Sequence, residues 1–151
     1  MKTKISILFS VIVLAFTACS DDKAKSNKFT LQASNKMYVV ITADSTLAAT
    51  EPKAEKAEIF EKEKQPSGKW AIKTSKGKYI CDERNNAGLK ANRTVVGDWE
   101  QFEIIRIEPT KINIRSSQGK FVCADQGSPL TPLIANRDGA ADWEAFTIEK
   151  K

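Results

Sequence analysis

Three stretches of this chain can be written beneath one another without a gap: residues 28–40 (KFTLQASNKMYVV), 69–81 (KWAIKTSKGKYIC) and 111–123 (KINIRSSQGKFVC). Phe29, Trp70 and Ile112 align, as do Leu31, Ile72 and Ile114, then Ser34, Ser75 and Ser117, then Tyr38, Tyr79 and Phe121. The second halves repeat as well. LKANRTVVGDWEQFEI from Leu89 aligns with LIANRDGAADWEAFTI from Leu133, and LAATEPKAEKAEIFEK from Leu47 is a worn copy that keeps Phe60 but has Ala57 in place of the tryptophan. A period of about 42 residues is the mark of a repeat architecture, because one such unit cannot bury its own apolar face. The units run 28–68, 69–110 and 111–151 and leave no room for a second domain.

Each unit reads as four short strands. FTLQA, WAIKT and INIRS alternate apolar and polar residues with period two, and a polar turn then leads into YVV, KYIC or KFVC. Gly77 and Gly119 suit a turn position that needs positive φ. Lys36 stands there in the first unit, which predicts a turn of different shape. Third strands begin near Leu47, Leu89 and Leu133, and fourth strands carry Phe60, Phe102 and Phe146. Propensity by itself would make residues 54–65 (AEKAEIFEKEKQ) a helix, but their repeat partners are β-like, so a strand is expected. Twelve short strands in three units point to an all-β fold closed into an antiparallel barrel, since closure removes exposed edges.

The pattern IKTSKGKYICDERNNAGLKANRTVVGDWEQFEI, and again IRSSQGKFVCADQGSPLTPLIANRDGAADWEAF, resembles the fascin-like β-trefoil. The resemblance spans residues 28–151 and implies a β-trefoil with a threefold internal repeat. Trefoils of this kind serve as actin-bundling modules in animal cells. Similar bacterial domains accompany secreted or surface proteins, and the resemblance implies a binding role toward carbohydrate or another extracellular polymer. The Q-x-W triplet of the ricin-type sugar-binding trefoils is absent.

The first 18 residues have the layout of an export signal: Lys2 and Lys4, then the uncharged run ISILFSVIVLAFT. That run is shorter than the roughly 20 apolar residues a membrane-spanning helix needs. FTAC at residues 16–19 resembles a bacterial lipobox, which makes Cys19 the expected lipid attachment point and residues 19–27 a polar tether. CSDDKAK resembles the acidic signature of lipoproteins that Bacteroidota-type cells carry to their outer surface; a tether facing the periplasm is the alternative. The expected location is therefore a bacterial outer membrane, with a palmitate-type anchor.

Charge and chemistry narrow the function classes. The net charge is +5, and removal of Lys2 and Lys4 leaves +3, well short of the clustered basic face that nucleic acid requires. The chain contains no histidine, and Cys81 and Cys123 are too far apart for a zinc knuckle, so no metal or cofactor is expected. Both cysteines fall at a position where the first unit has Val40, which suits buried free thiols. No serine sits in a G-x-S-x-G setting and no carboxylate pair is marked as a glycosidase pair, so no catalytic residue is expected. A monomeric binding module is the expectation, its partner a polysaccharide or a surface protein. A protein-interaction or structural envelope lipoprotein is the alternative.

Candidate binding residues cluster after the second and third strands of units two and three. Asp82, Asn92 and Arg93, with Asp125, Asn136 and Arg137, supply a carboxylate, an amide and a guanidinium for sugar hydroxyls. The asparagines could instead fasten their own turns. Trp99 and Trp143, each within DWE, either pack against the core or stack on a sugar ring. Their fixed register against a core phenylalanine favours packing. Phe29, Trp70 and Ile112, then Tyr38, Tyr79 and Phe121, then Phe60, Phe102 and Phe146 are expected as three core layers.

Overall fold

The computed structural model describes residues 26–151. The signal assigned to residues 1–18, Cys19 and most of the tether lie outside the described residues. The first unit contains β1 (Lys28–Gln32), β2 (Tyr38–Ile41), β3 (Leu47–Glu51) and β4 (Phe60–Lys64). The second contains β5 (Trp70–Lys73), β6 (Tyr79–Cys81), β7 (Lys90–Arg93) and β8 (Gln101–Glu108). The third contains β9 (Lys111–Arg115), β10 (Phe121–Ala124), β11 (Leu133–Arg137) and β12 (Phe146–Lys150). A single 3₁₀ turn precedes each fourth strand, at Ala54–Lys56, Asp98–Glu100 and Asp142–Glu144.

First and fourth strands make a closed ring. Within each unit they pair at equivalent residues: Phe29 with Phe60, Trp70 with Phe102, and Ile112 with Phe146. Between units the matching pairs are Lys62 with Ile72, Ile104 with Ile114, and Ile148 with Leu31. The order β1, β4, β5, β8, β9, β12 and back to β1 is a six-stranded antiparallel barrel. The hairpins β2–β3, β6–β7 and β10–β11 cap one end of it. This is the β-trefoil architecture.

Phe60, Phe102 and Phe146 are wholly buried at the centre, joined by Leu31, Ile72 and Ile114. Leu47, Leu89 and Leu133 are buried where the hairpins converge, and there the Leu47 N–H donates to the Leu89 carbonyl at 3.0 Å and the Leu89 N–H to the Leu133 carbonyl at 2.7 Å. The hairpin cap is thus hydrogen-bonded across units.

Two of the expected core layers differ. Tyr79 and Phe121 are half-buried and Tyr38 lies at the margin of burial, while the following residues Val39, Ile80 and Val122 are sealed inside. Each unit has a register shift at this step, between Tyr38 and Val39, Tyr79 and Ile80, and Phe121 and Val122. The irregularity turns the aromatic out and the next residue in. Trp70 is also half-buried, at the mouth of the barrel, whereas Phe29 and Ile112 are buried. The Lys36 turn has the same shape as its partners. Its φ is 66°, against 76° at Gly77 and 77° at Gly119, and all three close the same backbone turn, onto Ala33, Thr74 and Ser116. Backbone pairing around the turn overrides the side-chain preference.

Candidate functional site

The tryptophans overturn the packing expectation. Trp99 is 40 % and Trp143 56 % exposed, and it is the glutamate after each, Glu100 and Glu144, that is buried. In a 3₁₀ turn successive side chains point about 120° apart, so the two residues of the W-E pair face differently. Glu100 Oε2 accepts the Gly97 N–H at 2.7 Å and Glu144 Oε2 the Ala141 N–H at 2.8 Å, which ties off the start of each turn.

The Asn-Arg pairs sit at the ends of β7 and β11, beside these turns. Arg93 Nε faces Glu100 Oε1 at 3.6 Å, and Arg137 Nε faces Glu144 Oε1 at 3.7 Å. Beneath each pair lies a free, buried cysteine, Cys81 or Cys123. Burial pushes the Cys81 thiol up to about 11, with hydrogen bonding to Arg93 opposing and Glu100 reinforcing the shift. The two thiols are therefore packing groups within the same arrangement in both units, as the repeat pattern suggests.

The two units then diverge. In unit two, Asn92 Nδ2 and Arg93 Nη2 both donate to Glu83 Oε1, at 3.0 and 3.3 Å. The Arg84 guanidinium lies over the Trp99 ring at 5.2 Å from its centroid. In unit three, Asn136 and Arg137 are exposed, Asn136 Oδ1 meets the Cys123 thiol at 3.7 Å, and among the described residues no cation covers Trp143. The unit-three surface is the more open of the two.

The aspartates do other work. Asp82 is buried, accepts the Arg84 N–H at 3.1 Å and Gln118 Nε2 at 2.8 Å, and so fastens unit two to the turn of unit three. Asp125 accepts the Gly127 N–H at 3.2 Å and the Ser128 hydroxyl at 2.5 Å, which holds its own loop. The structure therefore groups Asn92 and Arg93 with Trp99, and Asn136 and Arg137 with Trp143, and assigns both aspartates to loop closure. Glu83, Arg84 and the buried glutamates were missed from sequence. The glutamates could have been found, because Glu58, Glu100 and Glu144 repeat at one register. Arg84, Asn86, Leu130 and Thr131 all have positive φ, so the two loops flanking these surfaces hold strained backbone. Among the described residues no cluster of His, Cys, Asp or Glu could hold a metal ion.

The model of the fascin domain matches residues 7–104. The chain belongs to the fascin-domain family. No curated protein matches this fascin domain in sequence. Among solved structures it resembles the designed threefold symmetric protein ThreeFoil, with a TM-score of 0.68 at 11 % identity, covering 81 % of this chain and 97 % of that one. It also resembles SeviL bound to asialo-GM1 saccharide, with a TM-score of 0.62 at 11 % identity over 83 % and 98 % of the two chains. A third is lysenin in complex with phosphocholine, with a TM-score of 0.64 at 16 % identity, covering 83 % of this chain and 44 % of lysenin. This fascin domain thus spans under half of lysenin's length. At such identities the likeness establishes the fold.

Proposed function

We propose that this fascin domain is a non-enzymatic, carbohydrate-binding module, with its main site on unit three at Trp143, Asn136 and Arg137 and a second on unit two at Trp99, Asn92 and Arg93. The observation that carries the reading is the exposure of both tryptophans, each on a rigid turn tethered to an Asn-Arg pair. A flat indole face beside an amide and a guanidinium can cover the apolar face of a sugar ring and bond its hydroxyls. The saccharide complex of SeviL, a protein of the same fold, supports the ligand class. Unit one has Thr50 and Ala57 at the matching positions and carries no such surface.

The test is a glycan microarray of the full chain followed by calorimetry of the best ligand. Loss of an interface tryptophan costs about 2 kcal/mol or more, so Trp143→Ala is expected to weaken binding roughly thirtyfold while shifting stability by under about 0.5 kcal/mol. Binding unchanged in both Trp99→Ala and Trp143→Ala would remove the reading. Capture of one stoichiometric protein with no glycan signal would replace it with a protein-interaction module.

The same reading places the domain on a lipid anchor at Cys19, in a bacterial outer membrane. Support comes from the export-signal layout and FTAC at residues 16–19. Mass spectrometry of membrane-derived protein is expected to show an N-terminal Cys19 bearing acyl chains. An intact Met1 or an unmodified Cys19 would refute the anchor.

A further inference from the structure

Among the described residues, none closes the end of the barrel away from the hairpins. That end holds a cavity of about 340 Å³ with Phe29, Trp70, Ile104, Ile112 and Ile148 among its walls. Strand alternation sets what surrounds it. Along β4 the residues on the face of Phe60 are Lys62 and Lys64; along β8 they are Ile104 and Arg106 after Phe102; along β12 they are Ile148 and Lys150 after Phe146. Lys64, Arg106 and Lys150 therefore occupy one repeat position, inward-facing, at the last level before solvent.

All three copies are basic; Arg106 and Lys150 line the cavity, with Lys28 and Lys62 at its rim, while Lys64 Nζ donates to the Gly68 carbonyl at 2.6 Å. Among the described residues no acidic side chain lines the cavity. Among the described residues no ion pair within 4.0 Å includes Lys28, Arg106 or Lys150. Glu61 pairs with Lys28 in register but points to the outer face with it at the strand, opposite Phe60. Lys62 and Lys64 each lie 4.6 Å from the centre of the Trp70 ring, which fixes both ammonium groups beside the opening. Like charges gathered around a low-dielectric floor repel one another and raise the potential for an anion.

We propose that the open barrel mouth is a second binding site, for an amphiphilic anion: an apolar body seated on Phe29, Trp70 and Ile112, with a carboxylate or phosphate head held by Arg106 and Lys150. The volume lies in the range of small-ligand pockets, and an apolar wall with a few convergent charges is their usual composition. Arg106 and Lys150 occupy equivalent positions in units two and three, and each can meet one oxygen of such a head from its own side. This site is at the far end of the barrel from the capping hairpins and involves none of the residues of the glycan surface.

The probe is octanoate, titrated into the full chain carrying Trp99→Phe and Trp143→Phe so that Trp70 is the fluorophore. A saturable change is expected, with octan-1-ol and inorganic phosphate each at least tenfold weaker, because each supplies one half of the ligand. Arg106→Gln with Lys150→Gln should weaken octanoate at least tenfold, and Lys150→Gln used by itself should weaken it too if the double variant folds poorly. Glycan binding by the Gln variants in a chain that keeps all three tryptophans should be unchanged, which separates this site from the other. Equal response to octanol, no saturation with octanoate, or full affinity in every Gln variant would each overturn the proposal. Sedimentation with phosphatidylglycerol vesicles in the absence of an octanoate response would also overturn it, as a surface attraction without an occupied cavity.

Discussion

Lys36 holds a φ of 66° at a position where the other two units use glycine. The left-handed region costs an L-residue about 1–2 kcal/mol, and glycine gives back roughly 0.5–1 kcal/mol through its freer unfolded chain. Lys36→Gly should therefore stabilise the protein by about 0.5–1 kcal/mol, read as a higher urea midpoint at unchanged slope. The Gln32 side-chain bond to the Lys36 carbonyl at 2.9 Å uses backbone and survives the change. A lower midpoint would mean that the lysine side chain holds the turn. This position also shows what the sequence could and could not convey. Its equivalence to Gly77 and Gly119 was legible from the alignment; that Lys36 would adopt their conformation was not, because residue preference argued the other way. Trp99 and Trp143 illustrate the same limit. Alignment marked their register, yet the 3₁₀ turn that rotates each indole outward and its neighbouring glutamate inward leaves no period-two trace.

The second strands show how an element can defeat a residue-by-residue reading. Tyr38, Tyr79 and Phe121 match in sequence, and the irregularity after each of them is likewise shared, so all three are displaced together. What each does at its new place depends on the neighbouring unit. The Tyr38 hydroxyl donates to Glu149 Oε1 at 2.8 Å on β12, and the Tyr79 hydroxyl to Glu63 Oε2 at 2.7 Å on β4. In the third interface the aromatic is Phe121, and the position matching Glu63 and Glu149 is Ile105. Hydroxyl and carboxylate are lost together, which avoids leaving one polar partner without the other. Such pairings cross from one repeat to the next. The alignment showed what is alike between units; the contacts that differ, such as Asp82 with Gln118 and the Leu89 bonds within the cap, needed the closed barrel.

At the scale of the whole molecule the titratable groups define a broad plateau of stability. On the acid side, hydrogen bonds from Thr42, Lys90 and Thr46 hold the Asp44 carboxyl well below its usual range, and Lys73 with Tyr79 lowers Glu63. Both carboxylates link separate strands. Their folded values lie below the unfolded ones, so their contribution is present above about pH 4–5 and is lost as pH falls. On the alkaline side the shifts are upward: burial raises Cys81 to about 11, and hydrogen bonds to Glu149 and Glu63 raise Tyr38 and Tyr79. The folded chain then keeps protons that the unfolded chain releases. The stability these groups contribute is complete below the ordinary thiol value of 9.0 and declines as pH climbs through about 11. With no histidine in the chain, no side chain of ordinary pKa titrates between these limbs. Urea midpoints measured across the pH range should be level from about pH 5 to 9 and fall on either side. Cys81→Ala should flatten the alkaline limb and leave the acid limb unchanged, whereas Tyr79→Phe should flatten the alkaline limb and, by removing a donor to Glu63, reduce the acid limb as well. A step in stability near neutral pH, or an alkaline limb unchanged in both variants, would show that the coupling lies in groups other than these.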